Sequence, residues 1–406
     1  MAFHLHEALM IKLTLRPLNI ASGKLFLGRA RFYSSPSGQI PFEIDETDDK
    51  YKELNNYYTE LFTNPNPSKQ INASNTSKSE LDELNEELRS LYSVDVLTPA
   101  ELETKVKSDG RFLIRSTSTN PYFNLALEDY VFRHTPVNER KSGNQRLLFY
   151  TNDKCVVIGK NQNPWKELYL RNVKDRGYHF LRRHSGGGAV VHDLGNVNYS
   201  YLTTREGFRR EFFNQQLVKW LNNDDINLNE RGDLTYKGFK ISGSAFKIGR
   251  GKAYHHGTML IDSNLDEFRG LLKPDAIPNV EWSCNSVESV RSKVSNIGGK
   301  VVSSIDHFCS IVTNEFRVLH EDPEIPMFYC DENSSLPEIE EAMDVLKSEK
   351  WQFLSGPKFS VTCNDITIKV DKGVIVESDI PQLVGQPFYK FYDEINENDE
   401  IFHQLL

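Results

Sequence analysis

Three short segments of this 406-residue chain combine residue types and spacings that could do chemistry. The first runs Arg182-Arg183-His184-Ser185-Gly186-Gly187-Gly188-Ala189-Val190-Val191-His192-Asp193-Leu194-Gly195-Asn196. Successive glycines lack Cβ atoms, so the backbone can take positive φ, approach a bound group and cradle an anion with bare N–H groups. Arg183 adds a fixed charge and a planar fork suited to carboxylate or phosphate. No Gly-Lys-Ser or Gly-Lys-Thr follows at the required spacing, which excludes a Walker loop. The second segment, Lys240-Ile241-Ser242-Gly243-Ser244-Ala245, sets an ammonium at a strand end and leaves room beside it for a bound molecule. Without such a role, a strand lysine is a solvated edge charge. The third is His255-His256-Gly257-Thr258. Adjacent histidines on a strand point to opposite faces, and no HExxH-like spacing accompanies them, so the chain predicts no protein-bound zinc.

Holding these segments together requires many short elements. Apolar alternation predicts strands at 112–114, 147–150, 156–159, 178–181, 189–191 and 197–203. Helical periods fall at 121–134, 164–176, 209–221, 265–272, 304–319 and 337–348, while 232–261 reads as strands joined by Gly-rich turns. Residues 366–370 and 374–376 flank Asp371-Lys372-Gly373, a hairpin pattern. Strands and helices mix without a strict βαβ repeat, so the fold class is α+β. Thr98-Pro99-Ala100-Glu101 has the pattern of a helix-starting capping box, which places the beginning of the folded body near residue 98.

Hydrophobic residues make up 38% of the chain, enough for a sizeable core, and the formal net charge of -9 weighs against non-specific binding to nucleic acid or anionic lipid. No apolar run approaches the roughly 20 residues that span a bilayer. The five cysteines are scattered and suggest neither a disulfide framework nor a structural zinc site. Residues 1–38 carry Lys12, Arg16, Lys24, Arg29 and Arg31 against the single acid Glu7. That composition is a mitochondrial transit peptide's, which predicts the mitochondrial matrix as destination. Residues 39–97 read as an acidic, largely disordered spacer in which Leu81, Leu84 and Leu88 mark a short amphipathic helix.

Taken in order, the segments resemble the lipoate-protein ligase A family. The resemblance runs from about Ser116 to Asn296 and continues loosely beyond. It also includes Asn120-Pro121-Tyr122-Phe123-Asn124-Leu125-Ala126-Leu127-Glu128, Val157-Ile158-Gly159-Lys160-Asn161-Gln162-Asn163-Pro164-Trp165, Arg231-Gly232-Asp233-Leu234 and Val290-Arg291-Ser292-Lys293-Val294-Ser295-Asn296. With its transit-like start the chain is similar to fungal-type mitochondrial members. The resemblance implies a biotinyl/lipoyl protein ligase-like catalytic domain over 98–320, a linker over 321–336 and a small α+β accessory domain over 337–406. It implies ATP, Mg²⁺ and lipoate or octanoate as cofactor and substrates. The partners implied are apo lipoyl domains of 2-oxoacid dehydrogenase E2 subunits and the glycine cleavage H protein, with no nucleic acid or membrane. By the same resemblance Lys240 is the catalytic residue, touching the carbonyl oxygen and phosphate of an acyl adenylate. Arg183, Ser185, Gly186, Gly187, Gly188, Ala189, Val190, Val191 and His192 hold that adenylate, Arg291, Ser292 and Lys293 belong to a loop over it, and Asp233 and His256 support the pocket.

The chain departs from the family at Gly232, where Asn is usual, and at Trp351-Gln352-Phe353, which keeps only an outline of an aromatic motif. Both departures bear on activation more than on transfer. An ATP-independent transferase of the same fold, taking octanoyl or lipoyl groups from coenzyme A, a carrier or preformed adenylate, is therefore the alternative. A hydrolase built on Ser185, His192 and an Asp lacks the Gly-x-Ser-x-Gly elbow. A scaffold for lipoyl domains would not need the Gly loop and Lys240 together. Val157, Val190 and Tyr199 are expected to form the apolar slot for the acyl arm.

Overall fold

The computed structural model describes residues 94–137 and 143–406. The transit-type segment 1–38, the spacer up to residue 93 and the leucine pattern within it lie outside the described residues. The first helix begins where the capping box predicts. In α1 (Pro99–Lys107), Thr98 Oγ1 accepts from the Glu101 N–H and Glu101 Oε2 accepts from the Thr98 N–H at 2.8 Å.

Strand β1 (Phe112–Ser116) leads into α2 (Pro121–His134), whose start is set by Asn120 capping the Tyr122 and Phe123 N–H groups and by Pro121 at the first helical position. There follow β2 (Arg146–Tyr150), β3 (Cys155–Ile158), α3 (Pro164–Glu167), α4 (Leu170–Asp175), β4 (His179–Arg182), β5 (Val190–His192) and β6 (Asn196–Thr204). The helix expected over 164–176 is broken because Leu168 turns extended and bridges Leu272. Next come α5 (Phe212–Leu221), β7 (Ile226–Leu228), β8 (Leu234–Tyr236), β9 (Phe239–Lys240), β10 (Ser244–Gly249), β11 (Lys252–Leu260) and β12 (Val280–Cys284). Turns replace the helix expected over 265–272, where Gly270 at φ +74 cannot continue a right-handed helix. The chain closes with α6 (Ile305–Leu319), β13 (Met327–Cys330), α7 (Pro337–Lys347), β14 (Phe359–Cys363), β15 (Ile366–Asp371), β16 (Val374–Ser378) and α8 (Phe388–Glu394).

A six-stranded sheet in the order β10-β11-β6-β2-β1-β13 forms the centre, antiparallel except where β1 pairs with β2 and β13. Side chains alternate across it, as a pleated strand demands. One face sends Leu113, Leu147, Tyr199 and Tyr201 against Phe213, Leu217, Phe308 and Phe316 of α5 and α6. The other sends Phe112, Ile114, Leu148 and Leu202 against α2 and α7. Two small sheets, β4-β3-β5 and β7-β8-β9, carry the three chemically distinctive segments with β10 and β11.

The domain plan needs correction beyond residue 320. The expected linker, 321–336, supplies β13, which pairs with β1 from Leu113↔Met327 to Ser116↔Cys330. Met327-Phe328-Tyr329-Cys330 is apolar enough to form a sheet edge, and pairing satisfies its backbone. Residues 337–406 are not a self-contained accessory domain either. Ile339 and Leu346 of α7 belong to the core under the central sheet, and the four-stranded sheet β12-β14-β15-β16 borrows β12 from before α6. The predicted hairpin is present, with Lys372 at φ 49 and Gly373 at φ 75 in its turn.

Lys273 ties this C-terminal part to α3. Its ammonium is 1% exposed, donates to the carbonyls of Trp165 (2.9 Å) and Leu405, and lies near the rings of Tyr169 and Tyr392. Burial pushes its pKa down from 10.5 to about 7. Between those values the unfolded chain binds more protons, so this lysine adds stability as pH rises through about 7, and its charge-burial penalty is fully present below. Lys273→Met should flatten the rise in unfolding free energy between about pH 7 and 8.5, measured by urea denaturation against the parent protein. Identical slopes in the two proteins would overturn this account.

Candidate active site

The Gly loop joins β4 to β5 and passes directly over Gly159, where a Cβ would lie 2.1 Å from the Gly187 carbonyl oxygen. Gly187 takes φ +87. Arg183 lies under the loop, buried. Its Nε donates to Ser185 Oγ (2.9 Å), Nη1 to the Val157 carbonyl (3.2 Å), and Nη2 to the carbonyls of Gly186 (2.6 Å) and Gly188 (2.8 Å). Arg183 therefore supports the loop while also lining the cleft beside it. The tight turn aims its carbonyls inward, and only a buried donor can satisfy them. Burial lowers the guanidinium pKa to about 10, so it stays charged at neutral pH. Arg182 works similarly, donating to the carbonyls of Lys160, Gln162, Trp351 and Gln352. Trp351 Nε1 returns a bond to the Arg182 carbonyl at 2.7 Å, which accounts for the aromatic outline noted in the sequence.

Behind the loop runs a buried series absent from the sequence reading. Ser185 Oγ is 2.7 Å from His256 Nε2, and His256 Nδ1 is 3.0 Å from both oxygens of Glu128. Glu128 ends a quoted motif, and its signal was a carboxylate among apolar neighbours on α2. Ser185 is 1% exposed and does not line the cleft, so it is no nucleophile. His192, its partner in the hydrolase alternative, instead faces Asn152 and Cys155. His255 points to the opposite face of β11, toward Ser244 Oγ at 2.9 Å, as adjacent strand positions require.

The cleft beside the loop has a volume of about 620 Å³. Leu125, Tyr150, Val157, Arg183, His192 and Asn198 line its buried part with half-buried Val190 beside them, whereas Arg210, Glu211, Glu230, Arg231 and Val290 form an exposed rim. Gly187, Gly188, Ala189, Asp233, Lys240 and His256 also face it, but Ser185, Gly186 and Val191 do not. Tyr199 belongs to the opposite core, with its hydroxyl donating to Asn214 Oδ1 at 3.0 Å, and Tyr150 takes the place expected for it. Lys240 Nζ lies 3.0 Å from Asp233 Oδ1, and its side chain is 21% exposed. This is not a solvated edge charge. Asp233 is set by Asn229, whose Oδ1 accepts from the N–H groups of Arg231 and Asp233, with Gly232 at φ +77 between them.

The loop after β12 meets the cleft earlier than expected. Val287, Glu288, Ser289 and Val290 line it, and Ser289 Oγ accepts from the Ala189 N–H (2.8 Å) and Gln162 Nε2 (3.0 Å). Arg291, Ser292 and Lys293 are not among the lining residues. Arg291 turns to the Lys273 carbonyl, with Asp275 at 3.5 Å and Glu167 at 3.9 Å. Two carboxylates and a carbonyl on that side outcompete an open cleft. The Lys293 carbonyl instead accepts from the Lys240 N–H at 2.9 Å, so this segment fixes the lysine's backbone.

Residues 120–317 match the lipoyl protein ligase A/B catalytic domain family. A candidate lipoate-protein ligase A of Saccharomyces cerevisiae is 46% identical over 374 residues, covering 86% of this chain and 91% of that protein. The chain belongs to the lipoate-protein ligase family. A Schizosaccharomyces pombe relative, also a candidate lipoate-protein ligase A, is 34% identical over 282 residues, 64% of this chain and 75% of its own. Among solved structures, Plasmodium falciparum LipL1 in complex with lipoate superposes with a TM-score of 0.52 at 24% identity, covering 71% of this chain and 95% of that one. The α+β architecture of the ligase is thus the biotinyl/lipoyl ligase-like fold expected from its sequence.

For a ligase of this family the arrangement offers a glycine-walled channel, a buried inner end and one oriented ammonium near the rim. Among the described residues no group of three or more His, Cys, Asp or Glu side chains could hold a metal ion. The rim carboxylates Glu211 and Glu230 suit Mg²⁺ only as minor ligands, for an ion that keeps water and phosphate oxygens as its main shell.

Proposed function

We propose that this ligase activates lipoate or octanoate with ATP and transfers the acyl group to a lysine of apo lipoyl domains. Lys240 carries the reading: an ammonium held by Asp233, beside backbone that glycine keeps open, at the head of a channel that runs inward past Val157 and Val190. A carboxylate is a poor electrophile, so one of its oxygens first attacks the α-phosphate and pyrophosphate leaves. In transfer, the acceptor amine attacks the acyl carbon, the bond from that carbon to the phosphate oxygen breaks, AMP departs and the amine's proton passes to solvent. Negative charge grows on oxygens next to Lys240 in both steps, and a preoriented cation stabilises it without reorganisation. Mg²⁺, when bound with the triphosphate, would offset the pyrophosphate charge, with Glu211 or Glu230 available to it.

The Saccharomyces and Schizosaccharomyces relatives support the ligase reading, and the lipoate held by Plasmodium LipL1 supports the acid as substrate. E2 subunits of 2-oxoacid dehydrogenases and the glycine cleavage H protein are the acceptors we infer. The matrix is the compartment we infer, on the composition of residues 1–38. A fluorescent fusion lacking those residues that still reached mitochondria would sink the last point.

One observation favours the ATP-independent alternative. Arg291 is turned away from the cleft and Lys293 does not line it, so these two add no cation to Arg183, Arg210, Arg231 and Lys240 there. Purified full-length chain incubated with an apo lipoyl domain, and either lipoate plus ATP or octanoyl-coenzyme A, decides between them. We expect mass addition on the domain with pyrophosphate release in the ATP arm. Addition in the coenzyme A arm alone would replace activation by acyl transfer.

A further inference from the structure

We propose that Asn214 is a positioning residue for both chemical steps: its buried side-chain amide fixes the turn that carries Asp233 and, through Asp233, the ammonium of Lys240. The proposal rests on the acyl-ligase reading above. Asn214 lies in the first turn of α5, is 2% exposed and lines the cleft. Its Nδ2 donates to the Gly232 carbonyl at 2.8 Å and to Ser244 Oγ at 3.2 Å, and its Oδ1 accepts from the Tyr199 hydroxyl at 3.0 Å. A carbonyl only accepts, so the orientation of the amide is settled, with nitrogen toward the turn and oxygen toward the core. Both N–H groups are thereby committed.

The turn is held from two sides. On its exposed side Asn229 Oδ1 accepts from the N–H groups of Arg231 and Asp233. Gly232, between them, takes φ +77 and brings no side chain of its own. Among the described residues Asn214 Nδ2 is the donor that meets its carbonyl from the buried side. That carbonyl belongs to the planar peptide joining Gly232 to Asp233, so holding it sets the direction in which the Asp233 side chain leaves the turn. Asp233 Oδ1 lies 3.0 Å from Lys240 Nζ. Without the amide the peptide loses its inner donor and is free to rotate, taking Asp233 with it. A cation that is to stabilise a developing oxyanion has to be in place beforehand, and a displacement of about 1 Å can cost about a hundredfold in rate. Asn214 acts through Asp233 and not on the reacting atoms.

Asn214→Asp separates positioning from packing. It keeps the shape and the Tyr199 contact, but an ionised carboxylate cannot donate to the Gly232 carbonyl. With the full-length chain, lipoate, ATP and an apo lipoyl domain at about pH 8, kcat for mass addition should fall about ten- to a hundredfold while KM for lipoate stays within about threefold. Lowering the pH to about 6 protonates part of the introduced carboxyl, whose pKa burial raises, and so returns a donor; the ratio of variant to parent rate should then rise about threefold or more. Asn214→Leu, with no donor at any pH, should be slowed as much and recover nothing. ¹⁵N NMR of the parent protein gives a reading that does not depend on a variant folding: the Asn214 side-chain N–H pair should exchange slowly with water. Near-parent kcat, an effect on KM alone, or the same rate ratio at both pH values in a thermally intact Asn214→Asp protein would overturn the proposal, as would recovery in Asn214→Leu or a fast-exchanging amide in the parent. A parent that adds no mass to the domain from either lipoate plus ATP or octanoyl-coenzyme A would overturn the acyl-ligase reading and this proposal with it.

Discussion

Lys240→Ala should slow both acyl-adenylate formation and acyl transfer by about two to three orders of magnitude while leaving the protein folded. The size follows from removing one preoriented donor from a developing oxyanion, about 3–4 kcal/mol. The fold should tolerate the change because β9 is held through its backbone: the Lys240 N–H bonds to Lys293 and the Lys240 carbonyl accepts from the Ser295 N–H. Among the described residues the side chain has Asp233 as its ion-pair partner, at 3.0 Å. Lys240→Arg should restore little, since a planar guanidinium cannot place its donors where a compact ammonium does. Two assays separate the steps: pyrophosphate release from ATP, and single-turnover transfer from preformed lipoyl adenylate. Loss confined to the first would mean that Lys240 serves the phosphate alone; near-normal rates in both would return it to an ordinary surface charge, worth less than about 1 kcal/mol.

Gly187→Val should reduce affinity for lipoate and its adenylate by at least about a hundredfold. Gly187 sits at φ +87, where a β-branched residue is strained, and its new Cβ would lie 2.9 Å from Arg183 Nη2 and 3.3 Å from Ala245 Cβ. The flexible end of Arg183 would have to move, and with it the bonds to the Gly186 and Gly188 carbonyls that shape the loop. Strain of this kind costs about 1–3 kcal/mol, a fall in melting temperature that a protein of this size survives. Gly186→Ala is the matched control: a Cβ there meets nothing within 4 Å, and affinity should stay close to that of the parent. Equal affinity in the two variants, each checked by thermal melting, would remove the glycine loop from the ligand site.

Local signals in this chain were readable because their physics is local. Asn120 and Pro121 start α2 at the residue where the pattern begins, Thr98 and Glu101 cap α1, and the Lys372-Gly373 turn makes its hairpin, each through contacts a few residues apart. The family and its fold were legible for a related reason: several segments, weak singly, occur in one order, and Lys240, Asp233 and the glycines meet at one cleft. What the sequence could not show is where a side chain spends its hydrogen bonds once distant segments converge. Arg183 lines the cleft as expected, but the carbonyls that fix its guanidinium are turned inward only when the loop closes over Gly159. Arg291 was expected at the ligand, but carboxylates from Glu167 and Asp275 hold it elsewhere and Ser289 takes the cleft. Glu128 gained its partner His256 by the packing of α2 on β11, and β12 gained β14 across the whole of α6 and α7. Periodicity and capping act between neighbours in the chain. The satisfaction of buried polar groups acts between neighbours in space, and only the tertiary structure says which those are.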